Sequence, residues 1–200
     1  MFGNDATPST CKEEWREELQ SVSQRATIPH DIIGSHRSNS TRAPRLTKLL
    51  IRSLTVDDVA AALVVINTAA RWYSEFLSPA EFRDPEMTSA GWNAESLRVK
   101  WFGAILDGRL TGVIGLEYVR DVALARHAYV LPEHQRQGIG SHLLDHVERE
   151  VQGVLRILAG TYVGNYKARH VLEKAGYCLH VDSEALLRTY YRISEDRLRS

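Results

Sequence analysis

Two glycines one residue apart, Gly138 and Gly140, stand between a strand-forming and a helix-forming stretch in Val130-Leu131-Pro132-Glu133-His134-Gln135-Arg136-Gln137-Gly138-Ile139-Gly140-Ser141. Glycines at a helix start leave backbone N–H groups bare, and the helix dipole makes that end attractive to phosphate. Arg136 adds a fixed positive charge beside it. Residue identity excludes two common phosphate loops. A dinucleotide fold wants a third glycine where Leu143 stands, and a nucleotide-triphosphate loop wants Gly-Lys-Ser/Thr. The G-x-G spacing taken alone fits a turn without a ligand equally well. His142 and His146 lie four residues apart on the following helix, but neither a His-Glu pairing nor a third ligand accompanies them. A solvated face opposite Leu143 and Val147 is expected there, and no metal site.

The elements that must position this turn follow from periodicity. Leu49 opens an apolar strand; Thr55 followed by Asp58 resembles a capping box, and Val59, Leu63 and Ile66 predict a helix from about 57 to 73. Residues 74 to 88 hold two prolines and read as a loop, with a second helix from about Ser89 to Val99. Trp101 to Leu106 and Leu110 to Tyr118 flank Asp107-Gly108-Arg109 and predict a hairpin. Val122 to Leu131 is a third strand closed by Pro132, which has no N–H for a ladder. Leu143, Leu144, Val147 and Val151 mark a helix, Val154 to Tyr162 a strand, and Asn165 to Ala175 a helix ending at Gly176. Tyr177 to Val181 and Leu186 to Ile193 alternate as two final strands. The class is mixed α/β, with an antiparallel front and a strand-helix-strand unit behind it.

A chain of 200 residues with 44% apolar residues has room for one core. Its longest apolar run, Val59 to Ile66, is far short of the ~20 residues that span a membrane. The start shows no secretory signal, so a cytoplasmic location is expected. Cys11 and Cys178 are too far apart and too few to form a disulfide framework or a zinc site. With 25 basic against 25 acidic residues, neither nucleic acid nor anionic lipid is an expected partner. Residues 1–47, polar and holding SHRSNSTRAPR, read as a flexible leader; residues 48–200 read as the domain.

Gln135-Arg136-Gln137-Gly138-Ile139-Gly140, with Val130 and Pro132 before it and Leu143-Leu144 after it, resembles the Q/R-x-x-G-x-G/A signature of the GNAT N-acetyltransferases. Asn165, Ala168, Glu173-Lys174 and Gly176-Tyr177 resemble the family's downstream N-x-x-A and E-K-x-G-F block. The likeness covers roughly residues 49 to 193. It implies a mostly antiparallel central sheet flanked by helices, and acetyl-coenzyme A as co-substrate. Gln135 to Ser141 would wrap the pyrophosphate, and the main chain of Tyr129, Val130 and Leu131 would pair with the pantetheine arm. An N–H of Val130 or Leu131 would meet the thioester oxygen. Asn165 and Ala168 would line the other side of the cleft, and Asn165 equally fits a helix N-cap.

The family often places a tyrosine one residue before Glu173 as general acid, where this chain has Leu172. Some members carry a glutamate base near the position of Leu124. The remaining candidates are Glu117 and His127 as base and Tyr166 as substitute acid, with Tyr162 and Tyr177 behind it. By strand alternation Leu124, Arg126, Ala128 and Val130 share one face, and His127 faces the other. Trp72, Tyr73, Phe76 and Phe82 fall where the family shapes its acceptor pocket; core packing accounts for most of them, and the loop from Ser74 to Thr88 is long enough for a substrate lid. That loop shows neither an acidic cluster for a polyamine nor a basic one for a phosphorylated acceptor. The expected activity is acetyl transfer to the primary amine of a small molecule or peptide, by direct attack in a ternary complex. A non-catalytic coenzyme A-binding or sensing module is the alternative. A homodimer is neither required nor excluded.

Overall fold

The computed structural model describes residues 49–154, 156–162 and 164–177. The expected leader, both cysteines and the two closing strands beyond Tyr177 lie outside the described residues. The chain runs β1 (Leu49–Ser53), α1 (Val59–Ala70), α2 (Ser89–Ser96), β2 (Val99–Leu106), β3 (Arg109–Val119), β4 (Val122–Val130), α3 (Ile139–Glu150), β5 (Arg156–Ala159) and α4 (Tyr166–Lys174). The strands lie side by side in sequence order, antiparallel through β4, and β5 joins β4 in parallel. A parallel neighbour needs a crossover, and α3 supplies it.

Local chemistry fixes these elements. Asp107 and Gly108 both have positive φ, 50° and 81°, the backbone twist that a two-residue hairpin between β2 and β3 requires. Asp58 accepts from the Thr55 N–H at 2.8 Å and from two Arg52 guanidinium nitrogens at 2.7 and 2.8 Å, closing the start of α1. The second helix stops at Ser96, short of the expected Val99, because Val99 pairs with Glu117 as the first residue of β2. The last described strand is four residues, shorter than the expected Val154 to Tyr162.

Helices cover both faces of the sheet. On one face Ala62, Val65, Ile66 and Ala69 of α1 and Trp92 of α2 pack with Val99, Trp101, Val113 and Tyr129. On the other, Ile139, Leu143, Leu144 and Val147 of α3 pack with Phe102, Ala104, Ile114, Leu116, Ala123 and Ala125. Among the described residues no helix is long and apolar enough to cross a membrane.

One irregularity decides what β4 presents. Val113 pairs with Tyr129 but Gly115 pairs with Arg126, so β4 carries one residue more than β3 across this step. His127, in the extra length, has φ 52°, a left-handed conformation that costs a non-glycine residue of order 1–2 kcal/mol. The strict alternation expected from sequence therefore fails here. Arg126 and His127 both reach Glu95 of α2, and beyond the bulge Tyr129 faces α1 while Val130 faces α3.

Five charged or ionisable side chains hold the bulge. His127 Nε2 lies 3.1 Å from Glu95 Oε2, its ring is 5.2 Å from that of Trp101, and Trp101 stacks on Trp92 at 4.2 Å. Arg98 contacts Glu95 and donates to both oxygens of Glu117 at 3.0 Å, and Arg126 pairs with Glu117 from the other side. The His127 hydrogen bond, with the charges of Arg126 and Arg98, outweighs burial and holds the Glu95 carboxyl down to about 2. A depressed carboxyl stabilises the fold above its unfolded value near 4.5 and loses that contribution as pH falls toward 2. Glu95→Gln should therefore cost about 2–3 kcal/mol at pH 7. The gap from wild type in urea unfolding should narrow steadily below about pH 4.5.

Candidate active site

The sheet opens where β4 outruns β5. The two strands pair only from Val122↔Arg156 to Ala125↔Ala159, and β4 continues to Val130 without that neighbour. Leu131 N–H donates to the Thr111 carbonyl at 2.9 Å on the β3 side. Backbone groups alternate in direction along a strand, so Val130 turns its N–H and C=O into the opening. The Gln135 amide fills part of it, donating to the Val130 carbonyl at 2.9 Å. Of the two N–H groups expected to serve an oxyanion, Leu131's is thus committed to the sheet and Val130's faces the split. Tyr129 contributes no side chain there, since its ring is buried on the α1 face.

At the end of the split stands the glycine turn. The sign of φ alternates from Gln135 (−67°) through Arg136 (60°) and Gln137 to Gly138 (81°), an alternation that aims successive N–H groups into one concavity. Gly138 is the N-cap of α3 and no side chain caps the helix; the first intrahelical bond is His142 N–H to the Gly138 carbonyl at 3.0 Å. The N–H groups of Ile139, Gly140 and Ser141 precede that bond and point out of the helix end. Ile139 offers only its backbone, because its side chain is in the core. Arg136 is exposed beside the turn, and Gln137 donates to the Glu133 carbonyl at 3.1 Å. His142 is exposed, whereas His146 leaves the expected solvated face and packs edge-on to Phe102 at 4.7 Å, where burial lowers its pKa. Among the described residues no group of three or more His, Cys, Asp or Glu side chains could hold a metal ion.

Across the split, Asn165 caps α4. Its Oδ1 accepts from the Ala168 N–H at 3.1 Å, so the carbonyl end of the amide is engaged by the fold. Tyr166, expected as a substitute acid, is 65% exposed and sets its ring against Trp72 at 5.3 Å. Leu172 is packed with the α3-side core, and Leu124 is fully buried with Val119 and Val122, so both positions of the family's acid and base serve packing with apolar side chains. Glu117 is already engaged by the fold. At 1% exposure its oxygens receive two guanidinium groups, and it anchors structure. His127 is tied to Glu95 on the α2 side.

The carboxylate that sequence reasoning passed over is Glu86. It lies in the loop after α1, half-buried, with Oε1 accepting from the Tyr129 hydroxyl at 3.2 Å. Burial raises its pKa against the pull of Tyr129, Arg83 and His127. Burial also pushes Tyr73 up to about 12, and Tyr73 in turn hydrogen-bonds Tyr129. The position is fixed rather than loose, because Asn67 of α1 grips Met87, accepting from its N–H at 2.8 Å and donating to its carbonyl at 2.9 Å. The signal in the sequence was Met87 itself, the apolar residue in the otherwise polar stretch from Arg83 to Thr88.

The two glycines of the turn differ in what the fold asks of them. Gly138 needs its φ of 81°, while a Cβ on Gly140 would meet only Val130 and Val171, each at 4.0 Å. Gly138→Ala should cost about 1 kcal/mol, and Gly140→Ala should keep or raise the melting temperature, as thermal unfolding of the two variants will show.

Residues 66–177 match the Acetyltransferase (GNAT) family. Comparison of the sequence with curated proteins finds no match. Among solved structures the chain resembles ribosomal-protein-S18-alanine N-acetyltransferase from Escherichia coli, at 23% identity and TM-score 0.55 over 67% of this chain and 80% of that one. It also resembles PaiA N-acetyltransferase from Thermoplasma acidophilum in complex with coenzyme A, at 21% identity and TM-score 0.55 over 66% and 91%. An aminoglycoside N-acetyltransferase in complex with CoA aligns at 17% identity and TM-score 0.53 over 69% and 93%. A mixed sheet flanked by helices, opened between β4 and β5 beside an uncapped glycine turn, and a match over more than half the chain place this protein in the GNAT acetyltransferase family.

Proposed function

We propose that the chain is an N-acetyltransferase that moves the acetyl group of acetyl-coenzyme A to a primary amine by direct attack in a ternary complex. The observation that carries the reading is the turn from Gln135 to Ser141, whose φ signs alternate as far as Gly138 and whose helix end has no side-chain cap. Such a turn suits a pyrophosphate, and Arg136 supplies the counter-charge. The β4 edge at Val130 suits an amide-bearing arm added as a strand, with the Asn165 segment opposite.

The chemistry needs few protein groups. The amine nitrogen forms a bond to the thioester carbon as its oxygen takes the π pair, and the Val130 N–H meets that developing charge. The C–S bond then breaks, sulfur leaves with the electron pair, and the proton shed by nitrogen balances it. A thiol of ordinary pKa about 8.5 departs without an acid beside it, which fits the apolar Leu172 at the family's tyrosine position. The same apolar residues at 124 and 172 favour the second reading, a coenzyme A-binding or sensing module. Turnover separates the two.

Calorimetric titration of the full-length chain with acetyl-coenzyme A should show one saturable site. A folded variant carrying Gly138→Glu and Gly140→Glu should lose it, and free thiol should appear only when an amine is added. Binding without thiol release across a panel of amines would establish the sensing module instead. No binding to the folded parent would remove both readings.

A further inference from the structure

The rings near Glu86 are not ordinary core. Tyr73 lies 5.5 Å from Phe76 and 5.5 Å from Tyr162, Phe76 lies 6.2 Å from Tyr162, and Trp72 lies 5.3 Å from Tyr166. They join the end of α1 to the segment after β5, two stretches some ninety residues apart in sequence. The contact is close enough that a Cβ at Gly164 would come within 2.8 Å of the Phe76 ring. Yet Tyr162 is 46% exposed and Tyr166 65%, whereas the core rings Trp92 and Trp101 are 4% and 6% exposed. A contiguous set of aromatic faces left in water marks a binding surface.

This surface has an affinity for ammonium that the chain itself displays, since Lys167 Nζ sits 3.8 Å from the centroid of the Trp72 ring. Of the carboxylates in this loop, Glu86 is the half-buried one. Glu75 is held by the Trp72 indole N–H at 2.7 Å, and Glu81 by the Ser78 hydroxyl at 2.6 Å and its N–H at 3.1 Å. Asp84 is exposed. Glu86 is half-buried, bonded to Tyr129 and within electrostatic range of Tyr73 and Tyr162. Arg83 acts on both Glu86 and Tyr162 and Glu81 acts on Tyr162, so a second positive charge close to Glu86 would meet Arg83.

Resting on the N-acetyltransferase reading, we propose that the acceptor is a primary monoamine on an aromatic body, its ammonium received by Glu86 and its ring laid on Tyr162 and Phe76. Glu86 takes one proton: an N–H bond of the ammonium breaks, an O–H bond forms on the carboxyl, and nitrogen keeps the electron pair that attack requires. Burial keeps this carboxyl above its ordinary range, so it is a stronger base than a free glutamate. The groups facing it are the Tyr129 hydroxyl from β4, His127 from the bulge, Tyr73 after α1, Tyr162 after β5 and Arg83 on its own loop.

The test uses the full-length chain at saturating acetyl-coenzyme A with 2-phenylethylamine, n-butylamine and spermidine. The aromatic amine should exceed both others by about tenfold in kcat/KM. Tyr162→Ala should bring that ratio near one and Tyr162→Phe should keep it. Glu86→Gln should lower kcat by about a hundredfold and remove the acidic limb of the pH profile, while acetyl-coenzyme A still titrates with parental affinity, which reports an intact fold. Preference for spermidine, no preference at all, or an unaltered acidic limb in Glu86→Gln would overturn the proposal. Transfer absent with every amine despite acetyl-coenzyme A binding would overturn it together with catalysis. Absence of acetyl-coenzyme A binding would overturn the parent reading first.

Discussion

The extra residue in β4 is the constraint on which the rest depends. With a regular register from Gly115 onward, Tyr129 would face α3 and Val130 would face α1, and the N–H entering the split would belong to a neighbour. The bulge between Val113 and Gly115 exchanges those roles. It sends the Tyr129 hydroxyl to Glu86 and leaves the Val130 N–H at the edge that β5 abandons after Ala125. A left-handed histidine at φ 52° is unfavourable by itself, so the neighbours must over-determine it. They do so twice, through the Trp92–Trp101–His127 stack and through the Glu95, Arg98, Glu117 and Arg126 cluster. A buried ion cluster is a weak source of net stability, but breaking it leaves an unpaired charge. That asymmetry makes it good at fixing one geometry and poor at tolerating another.

The same reasoning separates two enclosed carboxylates, Glu117 and Glu86. Glu117 is almost fully buried, and guanidinium groups from two directions occupy its oxygens. Its lone pairs have no room for a substrate proton. Glu86 is only half-buried, and it accepts a hydrogen bond from a phenol, Tyr129, which carries no charge. Burial that outweighs the pull of Tyr129, Arg83 and His127 raises the pKa, which is the condition for accepting a proton from an ammonium ion. The residue type alone does not make the base; the balance of desolvation against compensation does.

Much of this was legible in the sequence because it rests on short-range rules. The Asp107-Gly108 hairpin, the Ile139 to Glu150 helix and the Asn165 cap follow from residues within a few positions of one another. The glycine turn and the family followed from spacing. The bulge did not, because neither Gly nor Pro marks it within β4 and His127 holds its φ amid contacts from Glu95 and Trp101, both distant in sequence. Strand parity was therefore carried one residue too far, and Glu117 and His127 were read as open chemistry when each was already engaged. Glu86 was missed for the converse reason. A glutamate in a polar loop looks solvated until Met87 is known to be buried beside it.

That burial also bears on how the acceptor side works. A loop from Ser74 to Thr88 suggested a lid, yet several hydrogen bonds tie it along its length. Phe76 and Leu77 donate to the Tyr73 carbonyl at 3.1 and 2.8 Å, Ser78 and Glu81 close a turn on each other, and Asn67 holds both backbone groups of Met87. A segment so tied has little conformational entropy left to lose when a ligand arrives, so its contacts count nearly in full toward affinity. On the proposed reading, selectivity would then come from fixed shape and from the cost of leaving Glu86 unpaired, more than from closure around the acceptor. Asn67, by holding both backbone groups of Met87, accordingly helps to fix where the neighbouring Glu86 carboxylate meets Tyr129 of β4.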